Sequence, residues 1–303
     1  MKHHQEHDSE YDAVPTYQGR PLPRPEDEVG DQGLGFDVTT LLSRRQTLRA
    51  LGLGAAALGL AACEGGPTSS GAGAPSSTSP SARSGAIPEE TGGPFPADGS
   101  NGPDVLEQSG IVRSDIRSSF GDGVGTAGGV PMTLELVVSY SANGGAPFAG
   151  AAVYVWHCDR EGRYSLYSPG AEDRNYLRGV QIADADGRVR FASIFPACYP
   201  GRWPHVHFEV YADRRSIADT SNVIATSQLA LPADVCQRVY AQAGYEPSVT
   251  ALSEVSLDSD LVFADDGAAR QLATVNGDVA HGYVASLAVP VDTGTNPVAG
   301  ASR

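Results

Sequence analysis

Between Met132 and Val291 the chain, 303 residues in all, breaks into short runs of β-branched and aromatic residues, and this spacing limits what it can fold into. The runs are MTLELVVSY, AAVYVWHCD, GRVRFASIF, HVHFEVYAD, VIATSQLAL and YVASLAVPV, separated by clusters of Gly, Pro, Asn and Asp that favour turns. Apolar and polar residues alternate in several of them, the pattern of a strand with one buried face. Asp186-Gly187, between VQIADA and RVRFASI, predicts a hairpin turn. PADVCQRVYAQAG is the best helix candidate, opening at Pro232 and closing at Gly244. With 41% hydrophobic residues to fill a core, the expected fold is all-β: a β-sandwich with long loops and one short helix.

That domain is assigned to residues 87–303, and the composition before it is of a different kind. Residues 1–40 form a polar leader in which His3, His4 and His7 read as solvated rather than as a metal site. Residues 41–63 carry Arg44-Arg45 and then RALGLGAAALGLAAC, the pattern of a twin-arginine export signal. Leu60-Ala61-Ala62-Cys63 has the form of a lipobox, so Cys63 is the expected acylated residue; a signal that is simply cleaved is the alternative. The expected location is outside the membrane, as a cell-surface lipoprotein or an extracellular protein. Residues 64–86 are nearly all Gly, Ala, Ser, Thr and Pro, a flexible tether with an r.m.s. reach of roughly 25 Å. No run reaches the roughly 18 apolar residues of a membrane-spanning helix, so the lipid anchor is the one membrane contact expected. A net charge of −15 argues against a general nucleic-acid binder, which needs clustered cations to meet phosphates.

The chemistry concentrates in FPACYPGRWPHVHFEV. His205 and His207 stand two apart in a strand-like run, so their side chains share a face and can meet one metal ion. Alone, such a pair is weak: many strand histidines are only hydrogen-bonded. Two tyrosines strengthen it. Tyr199 precedes His205 across a loop of Pro200, Gly201 and Pro204, and Tyr164 follows Gly162 just beyond another strand. A phenol titrates near 10, and a trivalent cation can hold it deprotonated at neutral pH. Two phenolates and two imidazoles balance most of the charge on Fe(III), whereas zinc more usually takes Cys, His and carboxylate. The plainer reading is that both tyrosines pack at strand ends. Trp156 reads as core, His157 as a hydrogen-bonded strand residue, and Asp184 with Asp186 as a turn.

These motifs resemble the intradiol ring-cleavage dioxygenases, the family of catechol 1,2- and protocatechuate 3,4-dioxygenases. The resemblance runs from PEETGGPFPADGS through SGIVRSDIR, VYVWHCDREGRYS and NYLRGVQIADADGRVRFASIFPACYPGRWPHVHFEV to TSQLAL, most of residues 88–231. It implies Fe(III) held by Tyr164 and His207 as equatorial ligands, Tyr199 and His205 as axial ones, and a solvent hydroxide. It implies a catechol-type substrate that displaces Tyr199 and loses its protons to Tyr199 and hydroxide, O₂ as co-substrate, and muconate-type diacids as products. Arg202 matches the arginine beside the substrate ring, where it would stabilise developing negative charge, and Gln228 matches a glutamine near the iron ligands. Gly93-Pro94-Phe95 resembles the segment walling the pocket, although Pro96 stands where a tyrosine is usual.

Export would place Cys158, Cys198 and Cys236 where disulfides can form. Cys198 with Cys236 is the expected pair, because it would anchor the candidate helix beside the Tyr199 loop. Two other classes stay open at this point: a non-catalytic extracellular β-sandwich that binds carbohydrate or protein, and a copper enzyme using only His205 and His207.

Overall fold

A computed structural model of the chain describes Thr16–Tyr17, Arg20–Pro21 and residues 85–142 and 145–294. The leader histidines, the export signal with Cys63, and the tether up to residue 84 lie outside the described residues. Thr16–Tyr17 (β1) and Arg20–Pro21 (β2) pair antiparallel.

Two four-stranded sheets make the sandwich. One has the order β6-β3-β10-β9, from Arg188–Ile194, Pro131–Tyr140, Gly282–Val291 and Thr274–Asp278. The other has the order β5-β4-β7-β8, from Arg178–Ile182, Ala152–Trp156, His205–Tyr211 and Val223–Ala230. All the pairings are antiparallel except β3 with β10, which run parallel from Met132–Tyr283 to Tyr140–Val291. The alternation in the sequence decides what faces the core. Leu134, Leu136 and Val138 of β3 meet Val206, Phe208 and Val210 of β7 between the sheets. Burying such a side chain stabilises the fold by about 1.5–3 kcal/mol.

The second sheet is not exposed on its far side. Every residue of β7 is buried, and so is every residue of β4. Their outward side chains are covered by the segment before β3 and the loop after β4, where Ala97, Ile111 and Tyr164 pack against Tyr154, Trp156 and Tyr211. This third layer gives His205 and His207 a dry setting.

Three features differ from expectation. The turn at Asp184–Arg188 forms, with Gly187 N–H donating to Asp184 O at 3.0 Å, but β5 and β6 then diverge into opposite sheets. It is a crossover between layers, because Gly187 pairs instead with Val138 of β3. The expected helix is Ala233–Tyr240 (α1), and a second follows at Glu246–Ser253 (α2). EPSVTALS buries only Ser248 and Ala251, so it lacks the apolar stripe that reveals a helix. β9 was equally illegible, since TVNGD is a mostly exposed edge. Among the described residues no helix is long and apolar enough to cross a membrane.

Gly187 marks the tightest point of the crossover. Its φ is +75°, and a Cβ there would stand 2.1 Å from Val138 O. Gly187→Ala is expected to lower stability by about 2 kcal/mol or more, read as a fall in Tm; an unchanged Tm would show that the crossover can relax.

Candidate metal centre

Alternation along β7 turns His205 and His207 away from the sandwich core and onto the covered face. His207 lies between β4 and β8 in the sheet, paired with Trp156 on one side and Gln228 on the other. The Trp156 ring stacks on it at 4.9 Å between centroids and 5° between planes. His205 is fixed by its backbone neighbour: Nδ1 lies 2.6 Å from Trp203 O. A carbonyl only accepts, so Nδ1 carries the proton and Nε2 keeps its lone pair.

The tyrosines arrive from loops. After β4 the chain turns through residues 157–163, where Asp159 Oδ1 accepts from the N–H of Glu161 at 2.9 Å and of Arg163 at 3.0 Å. Tyr164 follows, its N–H on Ser168 Oγ at 2.9 Å and its ring 4.9 Å from that of Phe95. The Tyr199 loop is tied down by the two helices. Tyr240 OH donates to Pro196 O at 3.1 Å, Tyr245 OH to Phe195 O at 2.8 Å, and Cys198 N–H to Ser248 Oγ at 3.1 Å.

These four side chains converge. Tyr164 OH lies 3.2 Å from Tyr199 OH and 3.3 Å from His205 Nε2, Tyr199 OH lies 3.3 Å from His205 Nε2, and His205 Nε2 lies 3.1 Å from His207 Nε2. Four donors spaced around a cation with metal–ligand bonds of about 2.0–2.1 Å would be roughly 3.3 Å apart if tetrahedral. Tyr164, His205 and His207 are buried, and Tyr199 keeps partial exposure. Burial, then the Arg202 cation, pushes His205 down to about 3; burial, then His205, holds His207 well below the usual imidazole range. Both are therefore neutral, as metal ligation requires. Burial raises both phenols above their ordinary value, so only a strong local cation would ionise them.

The donor set fits a hard cation. His207 Nδ1 has no hydrogen-bond partner, which leaves the Nε2 face of that ring as its polar contact. No three His, Cys, Asp or Glu among the described residues are grouped to hold a metal, so any site here depends on its phenols. Two phenolates with two imidazoles suit Fe(III), and the four residues predicted from the sequence are the four brought together.

The other predicted residues lie around them. Arg202 Nη2 donates to Gln228 Oε1 at 2.5 Å, and Arg202 Nη1 stands 3.5 Å from His205 Nε2. Gly93 lies over the His207 ring with φ +71°, and a Cβ there would come 3.3 Å from His207 Cε1. Pro94 O accepts from Asn101 Nδ2 at 2.5 Å, and Pro96 O from Tyr154 OH at 2.7 Å. His157 is outside the cluster, hydrogen-bonded to Cys158 O and Ser193 Oγ, each at 2.7 Å. Asp184 is a turn residue, accepting from the N–H of Asp186 and of Arg188.

The expected Cys198–Cys236 disulfide is not formed: Cys158, Cys198 and Cys236 are all buried free thiols. Cys198 and Cys236 belong to the apolar core, where a thiol packs as a small hydrophobe, and burial pushes Cys198 up to about 12 and Cys236 well above its usual value. Two residues escaped the sequence reading. Trp156, read as core, is also the platform under His207. Asp260, fully buried, holds Arg202; it sits in the acidic stretch SLDSDLVFADD, which carries no local signal of a buried carboxylate.

Comparison with known proteins gives relatives of one kind. Residues 101–206 match the family model described as Dioxygenase, a stretch that contains Tyr164, Tyr199, Arg202 and His205 and ends one residue before His207. The chain is 42% identical over 55 residues to a chlorocatechol 1,2-dioxygenase of Rhodococcus opacus, covering 18% of this chain and 21% of that protein. It is 34% identical over 98 residues to a protocatechuate 3,4-dioxygenase β chain of Burkholderia cepacia, covering 28% and 42%. The matched stretches thus span less than half the length of these relatives. In fold it resembles an intradiol ring-cleavage dioxygenase from Tetranychus urticae, with TM-score 0.54 and 20% identity over 71% of this chain and 98% of that one. The resemblance to intradiol ring-cleavage dioxygenases read from the sequence motifs is borne out.

If the four donors hold Fe(III), one ion per chain is the expected content. His207→Ala and Tyr164→Phe should each weaken its retention at least about tenfold, measured as iron content after dialysis against a weak chelator, with circular dichroism unchanged. Full iron content in both variants would remove these side chains from the site.

Proposed function

We propose that this chain is a ferric-iron intradiol dioxygenase that adds both atoms of O₂ to catechol-type rings and cleaves between the two hydroxylated carbons, giving muconate-type diacids. The observation that carries the reading is the convergence of Tyr164 OH, Tyr199 OH, His205 Nε2 and His207 Nε2 at 3.1–3.3 Å beside the Arg202–Gln228 pair. Held by Tyr164, Tyr199, His205 and His207, Fe(III) would supply a Lewis acid for the catechol oxygens and a sink for ring electron density.

The protein's own groups do the rest. Tyr199 is the more exposed of the two tyrosines, which suits the one that gives way to substrate and takes a catechol proton on its phenolate oxygen. Tyr164, wedged against Phe95, stays in place. The glycine at position 93 lets the backbone lie close against the His207 ring, where a side chain would crowd it. Arg202 directs its guanidinium toward the same point, where it stabilises negative charge developing on the ring carbon under attack. Burial of the donors keeps water from competing for the site. The convergence of both phenols with the imidazoles favours this reading over a copper site built on the histidines alone, and over a binding module with no use for such a cluster.

The twin-arginine pattern and Leu60-Ala61-Ala62-Cys63 support an exported enzyme tethered through an acylated Cys63, acting on aromatics outside the cell.

Iron-loaded protein with catechol should consume O₂ and form the muconate diacid in equimolar amounts, and Arg202→Gln should lower kcat about 10²–10³-fold. In cells, activity should partition with membranes and leave them on Cys63→Ala. No O₂ uptake by fully iron-loaded protein with any simple catechol would overturn the reading, and soluble wild-type activity would overturn the anchor.

A further inference from the structure

Arg202 can act on the reacting ring only if its guanidinium is aimed, and three contacts bear on that aim. Its Nε donates to Asp260 Oδ2 at 3.0 Å. Its Nη2 donates to Gln228 Oε1 at 2.5 Å, and Gln228 Nε2 in turn donates to Thr91 O at 2.8 Å, which fixes the amide with its oxygen toward the arginine. Nη1 is left 3.5 Å from His205 Nε2, at the edge of the four-donor cluster. A planar guanidinium held at two of its three nitrogens cannot turn, so the third is aimed by the other two.

Asp260 is itself fixed. It is fully buried, and its Oδ1 accepts from the N–H of Val262 at 2.8 Å and of Phe263 at 3.0 Å. Its Oδ2 also accepts from Trp203 N–H at 2.6 Å. Trp203 O is the acceptor that sets the His205 tautomer, at 2.6 Å from Nδ1. One carboxylate therefore anchors both Arg202 and the residue that orients His205. It comes from a segment well after the stretch at 101–206 that matches the dioxygenase family model.

We propose that Asp260 is the positioning residue for Arg202: its carboxylate locks the guanidinium so that Nη1 faces the substrate side of the metal centre. The proposal rests on the dioxygenase reading above. A carboxylate that merely neutralised a buried cation would matter for stability alone. A positioning carboxylate matters for the chemical step and acts only through the arginine.

Four iron-loaded proteins separate the two roles: wild type, Asp260→Asn, Arg202→Gln and the double variant. Asp260→Asn keeps the shape and loses the charge. It is expected to lower kcat about 10–100-fold, with KM for catechol and the visible band much less affected. In the Arg202→Gln background the same change should cause no further loss, since the group it orients is gone. An undiminished kcat, a loss matched by lost iron, or an equal further loss in the Arg202→Gln background would each overturn the proposal. If Asp260→Asn does not fold, the double variant leaves no unpaired buried charge and carries the comparison with Arg202→Gln on its own. A second reading needs no iron. In ¹⁵N-labelled apoprotein the Arg202 Nε–H signal should exchange slowly in wild type and fast in Asp260→Asn. Fast exchange in wild type would overturn the positioning proposal, whereas a wild type inactive on catechols would overturn the dioxygenase reading and leave the exchange result to stand.

Discussion

A strand buried on both faces must be apolar on both or find partners for the polar groups it buries, and β7 does the second. Val206, Phe208 and Val210 fill the space between the sheets, while His205, His207 and Glu209 are buried on the opposite face beneath the covering layer. Two imidazoles placed 3.1 Å apart in such a setting cannot both be charged, and burial keeps them neutral. Their Nε2 atoms face one another at 3.1 Å. The loops supply phenols at the same point, and a hard cation would satisfy all four donors together. The covering layer and the loops together bring this unusual side-chain set to one buried point.

Charge is arranged to match. The cation of Arg202 is opposed by Asp260, fully buried, so the pair adds little net charge to the cluster. Breaking such a pair costs several kcal/mol because one charge is left buried alone. The phenols remain as the groups able to become anions, and they do so only when a cation lies between them.

How much of this the sequence revealed depended on distance along the chain. The strands were legible because alternation is local: MTLELVVSY, HVHFEVYAD and YVASLAVPV became β3, β7 and β10 nearly as written. His205 and His207 were legible as a pair because a strand's period puts them on one face. Tyr164 and Tyr199 are 35 residues apart in the sequence, and only the resemblance to a family brought them to the same point; spacing alone left them as packed tyrosines. Long-range contacts defeated the reading elsewhere. Gly187 looked like a hairpin turn because its pairing with Val138, which carries the chain into the other sheet, leaves no local mark. Asp260 drew no reading, because nothing in SLDSDLVFADD announces that Arg202 lies against it. An exported chain and a helix beside the Tyr199 loop point to a Cys198–Cys236 bridge, yet each thiol is packed in the apolar core instead.

Resonance Raman spectroscopy of the iron-loaded protein, excited in its visible absorption band, tests the central claim most directly. If Tyr164 and Tyr199 both bind Fe(III), the spectrum will show enhanced tyrosinate ring modes from two distinct residues. Tyr164→Phe and Tyr199→Phe will each remove a different one of the two sets. Bound iron with no tyrosinate modes, or modes untouched by both substitutions, would contradict the four-ligand site and the chemistry derived from it.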